Sequence, residues 1–446
     1  MSDDTSDDTS DDMSENGEAR LDVSFAPWSS GEAPLPDAAT VAAAVPHGVL
    51  LAPRPYAEGR VEPEESWELT AAWGRARGTA DVHPARGTPG RTALVRPMVF
   101  ADGFGHGPSD LPALYGHFRE LFDALRASGV DVVLLGFAER QASLQANAGV
   151  AVSCVRKAVA RQSGYEPLTV GGVGMGGLVT RYALARMEHD GEDHRAGVYL
   201  SYDVPHNGAV IPLLLQQLAY FFEALDPGGD RAQAALVRSP AAQQLLWGWV
   251  PGAATPGPVA TASPLRAEFL RELRRVGWFP RVPHRFGVAN GSGLGTGREV
   301  PPDAPVLDWT ELAGQLQAVV RTQPAYGEGR FTGRMRGLDE WRSVTTSHVP
   351  PFDGAPGGTL ESYGLLADAL GAKVGNDAYR HSCFVPAVSA VALDHDPVSW
   401  PVDLYEDISA LPPERSELDA FLCDTENSEH GAARPALTDW ILRHLT

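Results

Sequence analysis

The sequence predicts an α/β fold in which a mostly parallel sheet is wrapped by helices. Three observations predict it. From Pro97 to Tyr202, short apolar runs alternate with stretches of helical periodicity, and such crossovers join parallel strands. The run Leu168-Thr169-Val170 enters a glycine-rich turn, GGVGMGG, that opens straight into a further helical stretch. The chain has 446 residues, 43% of them hydrophobic, which is enough for one large core with insertions.

The elements follow in order. Residues 1–19 carry six Asp and two Glu with almost nothing apolar, so they predict an acidic disordered tail. Residues 20–96 are rich in Pro, Gly and Ala. Strands at WELTAAWGRARG (from Trp67) and RTALVRPMVFADGF (from Arg91) are expected to lead into the main sheet. Residues 97–209 form the first half of the core: strand 97–101, helix 111–128, strand 130–137, helix 146–162, strand 168–171, helix 176–188 and strand 197–202. Residues 210–283 read as a helical insertion, with an apolar helix from Val210 and the basic helix LRAEFLRELRRVG. In residues 284–446, strand–helix alternation resumes at RFGVANGSG and QLQAVVRTQ. Residues 322–380 resist assignment, CFVPAVSAVAL reads as strand, and PALTDWILRHL is a final helix. There is no internal repeat.

Charge and cysteines exclude several functions. A net charge of −21 is opposite to what nucleic acid or an anionic membrane surface requires. The start of the chain lacks the basic and apolar regions of a signal peptide. The longest apolar stretch, Val210 to Leu225, is too short to span a bilayer and is broken by two Gln and one Glu. Cys154, Cys383 and Cys423 are few, odd in number and widely spaced, as expected of reduced thiols in a cytoplasmic protein. His189-Asp-Gly-Glu-Asp-His194 and Asp394-His-Asp396 hold ligand-type residues without the spacing of a metal site, so no metal and no cofactor is expected.

The glycine turn has two readings. Gly172, Gly174 and Gly177 fit G-x-G-x-x-G, and Asp203 ends the next strand, where a dinucleotide site places an acid for ribose; this is the pattern of an oxidoreductase. The same letters fit the strand–turn–helix nucleophile elbow G-x-S-x-G-G, with Gly174 where the serine belongs. Two strand–helix units precede the turn, whereas a dinucleotide fingerprint normally opens its domain.

MGGLVTRYALA after a strand resembles the lipase and esterase branch of the α/β hydrolases, and other segments fit in the same chain order. ADGFG sits where that superfamily has an oxyanion loop. SYDVPHNGAVIPL resembles its PH-x-G segment, FVPAVSA resembles V-P-x-x-S-A, and TENSEHG puts His430 just before the last helix. The resemblance covers about residues 95–446 and implies an α/β-hydrolase fold with a helical lid. It further implies His430 as the catalytic base and Phe104 and Met175 as donors of the oxyanion N–H groups. Asp203 is then the acid, with Asp394 and Asp353 as alternatives. His206, in the PHNG turn, is expected to fix a loop.

Gly174 leaves the nucleophile position vacant, and that removes the covalent serine step. Three functions follow: a non-hydrolytic or serine-independent enzyme, or a binder of a small apolar or acyl-type ligand, using His430; a carboxylic ester hydrolase whose serine was substituted recently or by design; or a dinucleotide-binding oxidoreductase. Oligomeric state is not readable from the sequence.

Overall fold

The computed structural model describes residues 18–27, 36–45, 51–57, 59–87, 90–226, 232–253, 262–397 and 403–446. The predicted acidic tail lies outside them except for its last two residues. The chain begins with β1 (Arg20–Pro27), α1 (Ala38–Ala44), β2 (Glu65–Thr70), β3 (Arg77–His83) and β4 (Pro97–Ala101). There follow α2 (Leu111–His117), α3 (Arg119–Ala127), β5 (Asp131–Phe137), α4 (Leu144–Arg161), β6 (Leu168–Val173), α5 (Met175–His189) and β7 (Ala196–Tyr202). Helices α6 (Leu213–Leu225), α7 (Ala232–Arg238), α8 (Pro240–Leu245) and α9 (Pro264–Arg275) precede β8 (His284–Ser292). Then come β9 (Pro305–Glu311), β10 (Leu316–Arg321), β11 (Arg330–Gly337), β12 (Glu340–Ser347) and β13 (Gly357–Leu360). The last elements are α10 (Ser362–Ala369), β14 (Ser382–Pro386), α11 (Ala387–Ala390), β15 (Ala420–Asp424) and α12 (Pro435–Leu445).

The central sheet has the order β2-β3-β5-β4-β6-β7-β8-β15. Neighbours from β5 to β15 pair in parallel, while β3 runs antiparallel to both β2 and β5. Numbered along the chain, the eight strands lie 1-2-4-3-5-6-7-8 with the second reversed. This is the α/β-hydrolase fold. Every residue of β4 and β5 is buried, because a parallel sheet covered on both faces needs continuous apolar strands. Alternation along each strand divides the core. Val99, Ala101, Val133 and Leu135 face the side of α4 and α5, whereas Met98, Phe100, Val132 and Leu134 face α2, α3 and α12.

The structure departs from the sequence reading in four places. The stretch from Trp67 is a hairpin, with Gly74 at φ 74 in the turn, so β3 is a second strand there. The helix expected over 111–128 is broken at Phe118, whose backbone leaves helical geometry (φ −100, ψ 25) and whose ring packs on Phe100 and Tyr202. QLQAVVRTQ does not continue the parallel sheet. It forms β10 of a second, antiparallel sheet ordered β1-β12-β11-β10-β9. Leu316, Ala318 and Val320 are buried and their neighbours are not, which marks a strand with one wet face. Finally, β2 and β3 join the main sheet, whereas β1 pairs with β12 in the second sheet. Helix α6 packs against that sheet: Leu214 fills the place a side chain would take at Gly333 on β11.

Cys154, Cys383 and Cys423 are free thiols. No described helix is long and apolar enough to cross a membrane.

Candidate functional site

Strand β6 ends at Val173, and the chain turns through Gly174 at φ 52, ψ −123 before α5 begins at Met175. That turn lies mid-sheet, and its amide donates to the Tyr202 carbonyl of β7 at 2.9 Å. The neighbouring glycines let α5 press onto the strands: a Cβ at Gly176 would strike the carbonyls of Ala101 and Asp102, and one at Gly177 would strike Val204. The turn chemistry is therefore a packing requirement that the sequence shows directly.

A histidine faces the turn. An ideal Cβ built on Gly174 would stand 2.6 Å from Nε2 of His430 and 3.0 Å from its Cε1. Nδ1 of the same ring is 2.7 Å from Oδ2 of Asp203. Asp203 follows β7 in a left-handed conformation (φ 47), which Asp tolerates better than most residues. Its side chain is wholly buried, and the backbone N–H of Asn290 donates to Oδ1 at 3.0 Å. Both carboxylate oxygens are thus engaged, so the acid that a ribose-binding reading would need is bonded to His430 instead.

The structure brings Gly174, His430 and Asp203 together and leaves the other two carboxylates elsewhere. Asp394 is half exposed and bonds Arg415 at 2.5 Å. Asp353 is fully buried, accepts from Tyr363 Oη at 3.0 Å and from the Gln323 amide at 2.5 Å, and burial pushes its carboxyl up to about 6. Phe104 lies in the loop after β4, and Met175 is the first residue of α5, where helical N–H groups have no intrahelical partner. His206 is buried, held by Ser201 Oγ at 2.9 Å and by Arg181, and burial pushes its pKa well down.

Several residues that hold the site were not evident in the sequence. Asn290, at the end of β8, knits the histidine loop. Its Oδ1 accepts from the Gly431 amide at 3.0 Å, and its Nδ2 donates to Ala432 O at 2.9 Å and Ser428 Oγ at 3.2 Å. Gly358 of β13 lies so close to Asp203 that a Cβ there would overlap the carboxylate. Phe384 of β14 stands edge-on to the His430 ring, with centroids 5.1 Å apart. Asp102 fixes the loop that carries Phe104: it accepts from the Gly103 amide at 2.8 Å and from Tyr56 Oη at 3.2 Å, and pairs with Arg140 at 3.3 Å. A buried carboxylate beside a loop glycine was the one visible signal of that anchor. The others depend on contacts between residues 46 to 155 positions apart in the chain, which no local pattern carries.

His430 opens onto a cavity of about 260 Å³. Its wall mixes Phe104 and Val173 with Tyr56, His117, Arg140 and Glu429. Phe104 and Phe384 also border a small apolar recess lined by Ile211, Leu236, Val237 and Leu246. At the mouth, Glu361, His381 and Glu429 bring ligand-type atoms within 4.8 Å of one another. Glu361 is already bonded by Arg54 and Arg380, whose guanidinium charges face the same carboxylate. In the two clusters noted in the sequence, His189 is hydrogen-bonded to Asp190 at 3.0 Å and His194 to Glu188 at 3.1 Å, while Asp394 pairs with Arg415 and Asp396 with Arg274.

The chain matches no family model. It matches no curated protein either. Among solved structures it is similar to a hyperthermophilic esterase from the archaeon Pyrobaculum calidifontis, at 12% identity and TM-score 0.32, over 52% of this chain and 66% of that one. It is also similar to a Bacillus licheniformis lipase in its propeptide form, at 13% identity and TM-score 0.32, over 52% of this chain and 40% of that one. Est1E from Butyrivibrio proteoclasticus matches at 15% identity and TM-score 0.25, over 34% of this chain and 55% of that one. The chain thus spans less than two thirds of the length of each of these proteins.

Proposed function

We propose that the protein cleaves small acyl esters without a serine, with His430 as the reacting group and Asp203 as its partner. The observation that carries this reading is the placement of one ring. Nδ1 is fixed on a buried carboxylate at 2.7 Å, and Nε2 points at the empty side-chain position of Gly174 beside the cavity. An imidazole donating Nδ1–H to a carboxylate keeps its Nε2 lone pair free for chemistry. Met175 and Phe104 are assigned to the developing oxyanion; backbone N–H donors of this kind need no particular side chain, so loss of the serine leaves them in place. The helical insertion supplies most of the apolar recess and is assigned the role of a lid over the acyl part of the substrate.

The test is hydrolysis of an aryl and alkyl ester panel by the parent protein, His430→Ala and Asp203→Asn, each checked for folding by circular dichroism. Acid–base groups contribute about 10²–10⁴-fold, so both variants should lose at least about 10²-fold. Equal rates in all three folded proteins would sink the reading.

A further inference from the structure

We propose that His430 is the nucleophile itself, forming an acyl-imidazole, and that the substrates are acyl compounds with good leaving groups, such as aryl esters and thioesters. This rests on the ester-cleaving reading above and goes one step further into its chemistry.

The geometry comes from the ring's approach to Gly174. Nε2 is the ring atom nearest the absent Cβ, at 2.6 Å, with Cε1 at 3.0 Å and Cδ2 at 3.9 Å. A real Cβ cannot stand that close to a ring nitrogen, since ordinary contact begins at 3.4 Å. The imidazole therefore occupies the seat of the missing side chain. Its attacking lone pair abuts the side-chain position of the elbow, beside the first turn of α5. Among the described residues, no group bonds Nε2.

The alternative is a water activated by Nε2. A water placed between Nε2 and the carbonyl carbon adds a hydrogen-bond length of about 2.8 Å to the separation. The carbonyl would then be carried away from N–H groups whose position is fixed by the turn and by the Asp102–Arg140 anchor. Direct attack keeps the carbonyl against them.

The step balances as follows. The Nε2 lone pair forms a C–N bond to the carbonyl carbon, and the π pair moves onto oxygen. Collapse breaks the C–O or C–S bond and expels the leaving group with its electron pair. The product is an Nε2-acyl imidazolium whose Nδ1–H remains on Asp203. Water then adds to the acyl carbon, the C–N bond breaks, and carboxylate, neutral imidazole and two protons, both passed to solvent, are released. During the first half the ring nitrogen is consumed as nucleophile and holds no proton for the departing group. The leaving group must therefore depart as an anion, which restricts substrates to phenolates, thiolates and comparable anions.

The experiment uses the full chain with p-nitrophenyl acetate, quenched in acid on a millisecond-to-minute series and mapped by peptide mass spectrometry. The chain has only two lysines, Lys157 and Lys373, so stray acylation is easily separated. The expected result is an acetyl group on His430 that forms with the phenolate burst, is captured by hydroxylamine, and is absent in His430→Ala. Aryl esters and thioesters should exceed matched alkyl esters by at least 10²-fold. Gly174→Ser, which keeps the ring, should move the acetyl group to the introduced hydroxyl at position 174. His430-dependent turnover with no acyl-histidine at any time, and similar rates on aryl and alkyl esters, overturns the nucleophile and leaves the ester-cleaving reading standing. Turnover independent of His430 overturns both.

Discussion

Replacing Gly174 with serine would put a hydroxyl back at the elbow, and the structure sets both its cost and its yield. The backbone there has φ 52, ψ −123, a conformation that favours glycine and costs a side-chain-bearing residue about 1–3 kcal/mol. The new Cβ would also meet Nε2 of His430 at 2.6 Å, and ordinary contact begins at 3.4 Å, so the ring must retreat by their difference, 0.8 Å. Overpacking of this kind costs a further 1–3 kcal/mol or so. Asp203 has little freedom to follow, because the Asn290 amide holds one of its oxygens and Gly358 lies against the other. A ring that backs away from the new Cβ moves toward Asp203, so if Asp203 stays, the 2.7 Å contact to Nδ1 is compressed below hydrogen-bond range or the ring must tilt off it. The variant should therefore be less stable by about 2–6 kcal/mol in urea unfolding. It should hydrolyse esters faster than the parent by about 10²-fold, well short of the ~10⁶ that a full triad supplies. Adding His430→Ala should remove the gain. A variant of unchanged stability would mean that the ring does not occupy this seat. A folded variant with no gain on any ester would mean that no serine-type site remains around position 174.

Three further outcomes follow from the same contacts. Gly358→Ala pushes a methyl group onto the Asp203 carboxylate and to 3.2 Å from Cα of His430; ester cleavage should fall at least tenfold and stability by about 1–3 kcal/mol, both read on one preparation. Asn290→Ala leaves the Gly431 amide without its acceptor and the Ala432 carbonyl with Tyr202 Oη as its remaining donor; a stability loss of about 1–3 kcal/mol with kcat falling more than KM rises is expected, while an unchanged kcat would remove Asn290 as the positioning residue. Burial raises the Asp353 carboxyl from 3.8 to about 6, so the folded state binds its proton more tightly than the unfolded chain. Its contribution is fully present below about pH 4 and is lost as pH rises through 6, a change of about 3 kcal/mol. Asp353→Asn should flatten that fall in urea titrations across the interval, and an unaltered pH slope would contradict the assignment.

The sequence by itself determined the parallel half of the fold and the ends of its strands. Val99, Val133 and Val170 sit in apolar runs bounded by turns, and that periodicity is written locally. It also fixed the glycine turn, because a close strand–helix approach needs residues without Cβ at Gly172, Gly176 and Gly177. His430 was legible only from its place before the final helix, and the choice among Asp203, Asp394 and Asp353 was open. Tertiary structure brings Asp203 to the His430 ring and leaves Asp394 and Asp353 elsewhere: Asp203 and His430 are 227 residues apart, and the parallel order β7-β8-β15 brings their loops to the same sheet end. The second sheet escaped for a related reason. Its strand β1 finds its partner β12 some three hundred residues later, and hydrogen bonding between distant strands leaves no mark in either segment. The close approach of the imidazole to Gly174 is of the same kind, since the ring meets the Asp203 carboxylate, the Phe384 ring and the loop held by Asn290 only after the chain has packed. Local sequence carries periodicity and conformational permission, whereas the position of a reactive nitrogen to within an ångström is a property of the packed core.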